Sequence, residues 1–110
     1  MRDTPLIIGG NTTPVIDALI ATGANNLLCD FSSDWPTWLE GCRKDGRAVR
    51  RNLAPQLVQN GSEEEIYQAA RAMISEAGDY PGFIAGTAVV PFGTPTRNLL
   101  VIRRACKDSA

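Results

Sequence analysis

The chain has 110 residues, of which 44% are hydrophobic and 21% are charged, and its formal net charge at pH 7 is -1. This composition excludes a disordered chain and a membrane-spanning chain, and the balance of 11 basic and 12 acidic residues disfavours a general nucleic-acid-binding surface. We therefore expect one cytoplasmic domain over residues 1–110, with neither nucleic acid nor a membrane as partner.

Residue types limit the chemistry further. The chain contains no histidine, which removes the commonest general base and the commonest metal ligand. Its three cysteines, Cys29, Cys42 and Cys106, have no CxxC spacing and read better as small buried apolar residues than as a disulfide or zinc site. We expect no metal and no other cofactor.

The first predicted strand is the apolar run over residues 5–8, which ends at the Gly9-Gly10 loop. Thr13 followed by Pro14 predicts an N-cap and a first helical residue, and Gly23 ends the helix. The glycine pair lacks the spacing of a nucleotide-binding motif, so it gives little support to nucleotide binding. This segment predicts a strand, a glycine loop and a helix.

The second predicted strand covers residues 26–30 and ends in a carboxylate, Asp30. Asp34 is an N-cap candidate for a helix over residues 35–44 that closes at Gly46. Two tryptophans at helical spacing either pack this helix on the sheet or stack on a ligand, and packing is the favoured interpretation. Asp30 is the one plausible general acid or base at a strand end, although capping of the next loop is the simpler role.

The third strand, predicted over residues 48–53, carries Arg50 and Arg51 just before Asn52. A capping box at residues 62–65 then begins an amphipathic helix that runs to about residue 77. Because adjacent strand residues face opposite sides, at most one of the two arginines points to a given face. An arginine there either grips a carboxylate or phosphate or pairs locally, for example with Asp30.

The last predicted strand is the short run Phe83-Ile84, and Thr94 with Pro95 predicts the N-cap and first residue of a helix to about Lys107. The chain thus reads as α/β, with four consecutive strand-helix units and a parallel sheet. Such units fit either a small doubly wound sheet or half of a TIM-like barrel. A half barrel alone leaves its inner face and two sheet edges uncovered.

A series of five short motifs points to a family. They are Ile-Ile-Gly-Gly-Asn-Thr from residue 7, Arg-Asn-Leu-Ala-Pro from 51, Asn-Gly-Ser-Glu-Glu-Glu from 60, Gly-Phe-Ile from 82 and Thr-Pro-Thr-Arg-Asn from 94. In this order they resemble the C-terminal half of the uroporphyrinogen decarboxylase family, whose superfamily includes cobalamin-dependent methyltransferases. The resemblance implies about half of a TIM barrel.

The family's catalytic groups are absent from the matching positions. Where the methyltransferases place zinc ligands, this chain has Ile7, Gly9 and Thr87, and where the decarboxylases place a histidine it again has Thr87. The resemblance therefore implies a domain without catalysis of its own. A decarboxylase or methyltransferase activity would require a separate chain that supplies the other half.

The strand ends define the predicted ligand site. We expect a small anionic ligand, or one of tetrapyrrole or corrinoid type, at the strand C-termini, bound by Gly9, Gly10, Asn11, Asp30, Arg50, Arg51, Asn52 and Thr87. The alternative is an interaction or assembly module without a small-molecule site. In either case we expect a homodimer, or pairing with a complementary half-barrel chain, to cover the open face.

Overall fold

The computed structural model of the chain describes residues 5–109. After a single 3-10 turn, Thr13–Val15, five α-helices and three strands follow in the described region. Their order is α1 (Ile16–Ala21), β1 (Asn26–Cys29), α2 (Trp35–Asp45), β2 (Ala48–Leu53), α3 (Pro55–Asn60), α4 (Glu63–Glu76), β3 (Phe83–Thr87) and α5 (Thr96–Asp108). The α/β class predicted from the sequence is confirmed.

The three strands form one parallel sheet in the order β1-β2-β3. Leu27 pairs with Val49, and Val49 pairs with Phe83. The predicted first strand at residues 5–8 is reduced to one parallel bridge between Leu6 and Leu27, with the Leu6 N–H donating to the Asn26 carbonyl at 2.9 Å. The described region thus has three strands and not four; Pro5 has no N–H to add to the ladder, and glycines end the run at once.

The helices pack on one face of the sheet. Strand residues that alternate toward this face, such as Cys29, Val49 and Phe83, join two hydrophobic clusters, one with α1 and α2 and the other with α3, α4 and α5. Trp38 is fully buried in the first cluster and Trp35 lies edge-on to Phe83, with ring centroids 5.7 Å apart. The packing interpretation of the two tryptophans is confirmed.

The opposite face of the sheet carries no helix in the described region. The strand residues whose side chains point to this face include Leu28, Arg50 and Ile84. In the register Arg50 pairs with Leu28 on one side and with Ile84 on the other. Ile84 is 39% exposed and Ile7, next to this face, is 61% exposed. A parallel sheet covered by helices on one side fits part of a TIM-like barrel.

Two of the four predicted helix N-caps are confirmed by the structure. The Asp34 side chain accepts from the Thr37 N–H, and Ser62 with Glu65 forms a complete capping box, as predicted. The predicted N-caps Thr13 and Thr94 are wrong. Thr13 lies inside the 3-10 turn, and its Oγ1 accepts from the Asp34 N–H at 2.8 Å.

At the other wrong cap, the Thr94 hydroxyl donates to the Pro91 carbonyl at 2.7 Å, and Pro95 occupies the N-cap of α5. The sequence reading also missed α3, which starts at Pro55. Asn98 connects α5 to α3 because its Nδ2 donates to the Val58 carbonyl at 2.8 Å.

No helix in the described part of the chain combines the length and apolar character needed to cross a membrane.

Candidate functional site

A chain of polar side chains crosses the open face at the carboxyl ends of the strands. It begins at Asp30, which directly follows β1, and continues through Asn52 and Arg50 on β2. Asp30 and Asn52 are buried, at 8% and 4% exposure, and Arg50 is partly exposed. Since buried polar groups must be hydrogen-bonded, their partners define what the site can do.

Both oxygens of the Asp30 carboxylate are engaged. The Gly10 N–H donates to Oδ2 at 2.8 Å, and Asn52 Nδ2 donates to Oδ1 at 3.3 Å. A β-carbon on Gly9 would lie 3.5 Å from Oδ2, so the glycine loop passes close to the carboxylate. Asp30 therefore holds the glycine loop against the end of β1 instead of capping the loop that follows it.

The Asn52 amide connects Asp30 to Arg50. Because Asp30 accepts from Nδ2, the amide oxygen Oδ1 faces the other way and accepts from Arg50 Nε at 3.2 Å. The carboxylate thereby fixes the amide orientation, and the amide fixes one side of the guanidinium. Within residues 5–109 the two terminal nitrogens of Arg50 make no hydrogen bond or ion pair, which leaves their donors free for an anion.

Gly86 of β3 gives Arg50 and Asn52 their space. A β-carbon at this position would lie 3.1 Å from Asn52 Oδ1 and 3.2 Å from Arg50 Cδ. Any side chain would push on both residues by a few tenths of an ångström. This role of Gly86 depends on the β2–β3 register, in which it pairs with Asn52, so it could not be predicted from the sequence.

Hydroxyl groups hold the glycine loop in place. Ser33 Oγ donates to the Gly10 carbonyl at 3.0 Å and accepts from the Thr12 N–H at 3.0 Å. Thr12 is buried, at 5% exposure. No local pattern predicts this support, because Ser33 and Gly10 lie 23 residues apart in the chain.

Arg51 points to the helix-covered side of the sheet. Its Nη1 lies 2.6 Å from Glu76 Oε2, and its guanidinium carbon lies 5.0 Å from the centroid of the Trp35 ring. The expectation that the two arginines face opposite sides is confirmed. Their local partners are Glu76 for Arg51 and Asn52 for Arg50, so neither arginine pairs directly with Asp30.

A cavity of about 340 Å³ lies over this polar chain on the open face. Its lining combines the polar groups with apolar walls: Ile7, Gly9, Leu28, Asp30, Arg50, Asn52, Ala88 and Val89. A smaller recess of about 170 Å³ adjoins it, and Arg50 contributes to both. Apolar walls with a few convergent polar groups are typical of small-molecule sites.

The structure brings together five of the eight predicted site residues: Gly9, Gly10, Asp30, Arg50 and Asn52. The other three lie elsewhere. Asn11 is exposed and its Oδ1 accepts from the Thr13 N–H at 3.2 Å, Arg51 is on the opposite face, and Thr87 alternates toward the helix side with Phe83. Ala88 and Val89, which follow β3 directly, line the cavity in place of Thr87.

Comparison with known proteins agrees with the motif order. A family model described as Uroporphyrinogen decarboxylase (URO-D) matches residues 3–109. A search of the curated proteins found no match. The wider resemblance to the methyltransferases stays a prediction.

Proposed function

Since the chain belongs to the uroporphyrinogen decarboxylase family, we propose that it is a binding domain of that family that holds a small anionic ligand at the strand C-termini. The observation that carries this proposal is that the terminal nitrogens of Arg50, which lines the cavity of about 340 Å³, make no hydrogen bond within residues 5–109. A guanidinium fork matches a carboxylate or phosphate with two parallel hydrogen bonds.

The polar chain supports an anion in preference to a cation. The Asp30 carboxylate already accepts two hydrogen bonds from this chain, from Gly10 and Asn52. Within residues 5–109 the terminal nitrogens of Arg50, which lines the same cavity, make no hydrogen bond. The unused hydrogen-bonding groups of this pair therefore include the donors of a cation, which suit an anion.

The apolar part of the cavity supports a ligand with a hydrophobic body. Ile7, Leu28 and Val89 form walls beside the guanidinium. A tetrapyrrole with carboxylate arms on a largely apolar ring offers both features, and a corrinoid such as cobalamin, whose ring arms are amides, offers a phosphate as its anion. A cavity of this size would take one arm and the adjoining part of the ring.

We propose that binding occurs without catalysis by this chain alone. The groups with family chemistry are replaced at Ile7, Gly9 and Thr87, and Asp30 serves to position Asn52 and the glycine loop. A general acid or base needs a proton that it can exchange with a substrate. Asp30 instead makes its two hydrogen bonds within the protein.

Calorimetric titration with a porphyrin carboxylate, cobalamin and a simple dicarboxylate tests the function. We expect Arg50→Gln to weaken binding about 10- to 100-fold, because a hydrogen bond to a charged group contributes about 1.5–3 kcal/mol. The matched control is Arg51→Gln, which removes the same charge from the neighbouring residue on the other face and should leave affinity unchanged. No binding of any of the three ligands at millimolar concentration, or equal losses in both variants, would contradict the proposal.

A further inference from the structure

The outer side of α5 carries a row of positive charge. The basic residues of this helix are all exposed, and they are Arg97, Arg103, Arg104 and Lys107. Leu100, which is 54% exposed, lies among them. The helical repeat places these five side chains within an arc of about 120°. The residues of α5 that join the core lie on its other side, and they are Val101, Ile102 and Ala105.

Helix α4 adds a fifth cation next to this row. The guanidinium carbons of Arg71 and Arg104 both lie over the Tyr67 ring, 5.8 and 4.8 Å from its centroid. The carboxylate beside them, Asp108, accepts from the Tyr67 hydroxyl at 2.7 Å. Within residues 5–109 no ion pair joins Arg71 or the cations of α5 to a carboxylate. Arg71 and the four cations of α5 form what we call the basic surface.

The stability of α5 does not account for this charge pattern. The helix dipole favours a cation in the last turn, which explains Lys107. Arg97 is the second residue of α5, in the first turn, where the same dipole opposes a cation. Arg103 and Lys107 are four residues apart on the helix, a spacing at which like charges repel. The free chain therefore carries repulsion that an acidic partner would relieve.

We propose that the basic surface binds an acidic polypeptide segment. Local rules that are broken without gain to the fold are typical of functional sites. An arginine guanidinium pairs with a carboxylate through two parallel hydrogen bonds. From Arg97 to Lys107 the row extends about 15 Å along the helix axis, which about five residues of extended chain span. Leu100 offers an apolar side chain of the segment a contact between the cations.

The surroundings of the basic surface favour a polypeptide over a nucleic acid or a membrane. The Tyr67 ring is already covered by two guanidinium groups, so it offers no stacking platform to a base. The apolar side of α5 is buried in the core, so this helix has no apolar face to insert into lipid. The formal net charge of -1 gives the whole chain no long-range attraction to a polyphosphate. A short acidic segment needs only the local row of cations.

Fluorescence anisotropy with labelled hexaglutamate tests the basic surface on the full chain. We expect Arg103→Gln combined with Arg104→Gln to weaken binding about 3- to 30-fold, because each exposed ion pair contributes modestly. Binding should also weaken as the NaCl concentration rises, since exposed charges are screened.

The matched control is Arg43→Gln combined with Lys44→Gln. These two residues are an exposed basic pair in the last turn of α2, so the control removes the same charge from another helix and should leave affinity unchanged. Absence of hexaglutamate binding at millimolar concentration, or equal losses in the two double variants, would overturn the proposal.

Arg97→Gln separates a binding charge from a structural one without any ligand. We expect the thermal midpoint of the free chain to stay the same or rise, because glutamine has nearly the helix propensity of arginine and does not oppose the dipole. A midpoint lowered by several degrees would show that Arg97 stabilises the fold, and the proposal would then fail.

Other polyanions supply the remaining outcomes. Vesicles of phosphatidylglycerol and phosphatidylcholine, and a single-stranded oligonucleotide, are compared with hexaglutamate at equal concentration of negative charge. Tighter binding of either through Arg103 and Arg104 would assign the surface to a membrane or a nucleic acid and rule out the peptide. Arg50→Gln should leave hexaglutamate binding unchanged, since Arg50 lies on the open face of the sheet. The basic surface and the proposed ligand site can therefore fail independently.

Discussion

Arg50 and Arg51 are neighbours in the chain with opposite surroundings. Arg51 is held by a carboxylate and an aromatic ring on the helix side, with Glu76 Oε2 at 2.6 Å. Within the described residues the Arg50 side chain makes one hydrogen bond, to the Asn52 amide, and it lines a cavity. The pleat of β2 therefore separates an arginine with an ion-pair partner from the arginine that we propose binds an anion.

A substitution at Asp30 measures how much the hydrogen-bonded side chains of Asp30, Asn52 and Arg50 stabilise the fold. Asp30→Asn puts one N–H₂ group where a carboxylate oxygen now accepts from the Gly10 N–H or from Asn52 Nδ2. We expect the free energy of unfolding to fall by about 1–3 kcal/mol, because one buried donor then faces another donor. Urea denaturation followed by circular dichroism measures this change.

The control for this variant is Asp79→Asn. Asp79 is fully exposed and lies 3.8 Å from Arg43 across a surface ion pair, so its neutralisation should change stability by less than about 0.5 kcal/mol. Equal stability of the Asp30→Asn variant and the wild type would show that the Asp30 contacts do not support the fold.

The two confirmed helix N-caps are those whose side chains bond a backbone N–H three residues later. Asp34 and Ser62 cap α2 and α4 through bonds that span three residues, to Thr37 and Glu65. The hydroxyls of Thr13 and Thr94 make other hydrogen bonds, Thr13 with the distant Asp34 N–H. A cap is therefore predictable only where no stronger partner competes for its oxygen.

The two confirmed caps predict loss of stability in acid. Hydrogen bonds from Thr37 lower the pKa of Asp34, and those from Ser62 lower the pKa of Glu65, each below the ordinary value of its carboxyl group. A carboxylate whose pKa is lowered in the folded state stabilises the fold above its unfolded pKa and loses this effect as pH falls. We expect the thermal midpoint to fall as the pH drops below about 4.5.

Ser62→Ala isolates the cap of α4. It removes the hydroxyl that accepts from the Glu65 N–H and should cost about 1 kcal/mol at pH 7. The Ser62 N–H still donates to the Glu65 carboxylate, so the dependence of stability on acid should be largely kept. Ser75→Ala, an exposed serine inside the same helix, is the matched control and should change stability little. No loss of stability at pH 7 in Ser62→Ala, or an equal loss in Ser75→Ala, would show that the capping hydroxyl does not stabilise α4.

The whole molecule is two layers, with a core on one side of the sheet and a polar cavity with apolar walls on the other. The core side holds the tryptophans and two of the three cysteines, Cys29 and Cys42, both fully buried. Burial raises the pKa of Cys29 to about 12 and that of Cys42 to about 11. Both thiols are therefore neutral and shielded in the folded protein.

Thiol reactivity reports on this layered core. At pH 8 we expect one of the three cysteines to react rapidly with a disulfide reagent in the native protein, and all three to react in guanidinium chloride. The reactive residue should be Cys106, which is partly exposed on α5. Cys106→Ser should remove the fast phase, and rapid reaction of two or three native thiols would contradict the burial of Cys29 and Cys42.

The sequence by itself determined the α/β class, the family and most of the helix boundaries. Apolar runs, capping residues and glycines act over a few positions, so their effect can be read along the chain. The same local rules predicted that Arg50 and Arg51 face opposite sides, which the structure confirms. The strand predicted over residues 5–8 was not confirmed. Whether an apolar run becomes a strand depends on pairing with a distant segment, and here only Leu6 pairs, with Leu27.

Only the tertiary structure decided which polar groups meet. The contacts from Gly10 to Asp30 and from Asn52 to Asp30 join residues 20 and 22 positions apart, and the strand register sets them. The space at Gly86 and the place of Thr87 on the helix side depend on the same register. Parallel pairing is a long-range interaction, so the site became visible only once β1, β2 and β3 were aligned.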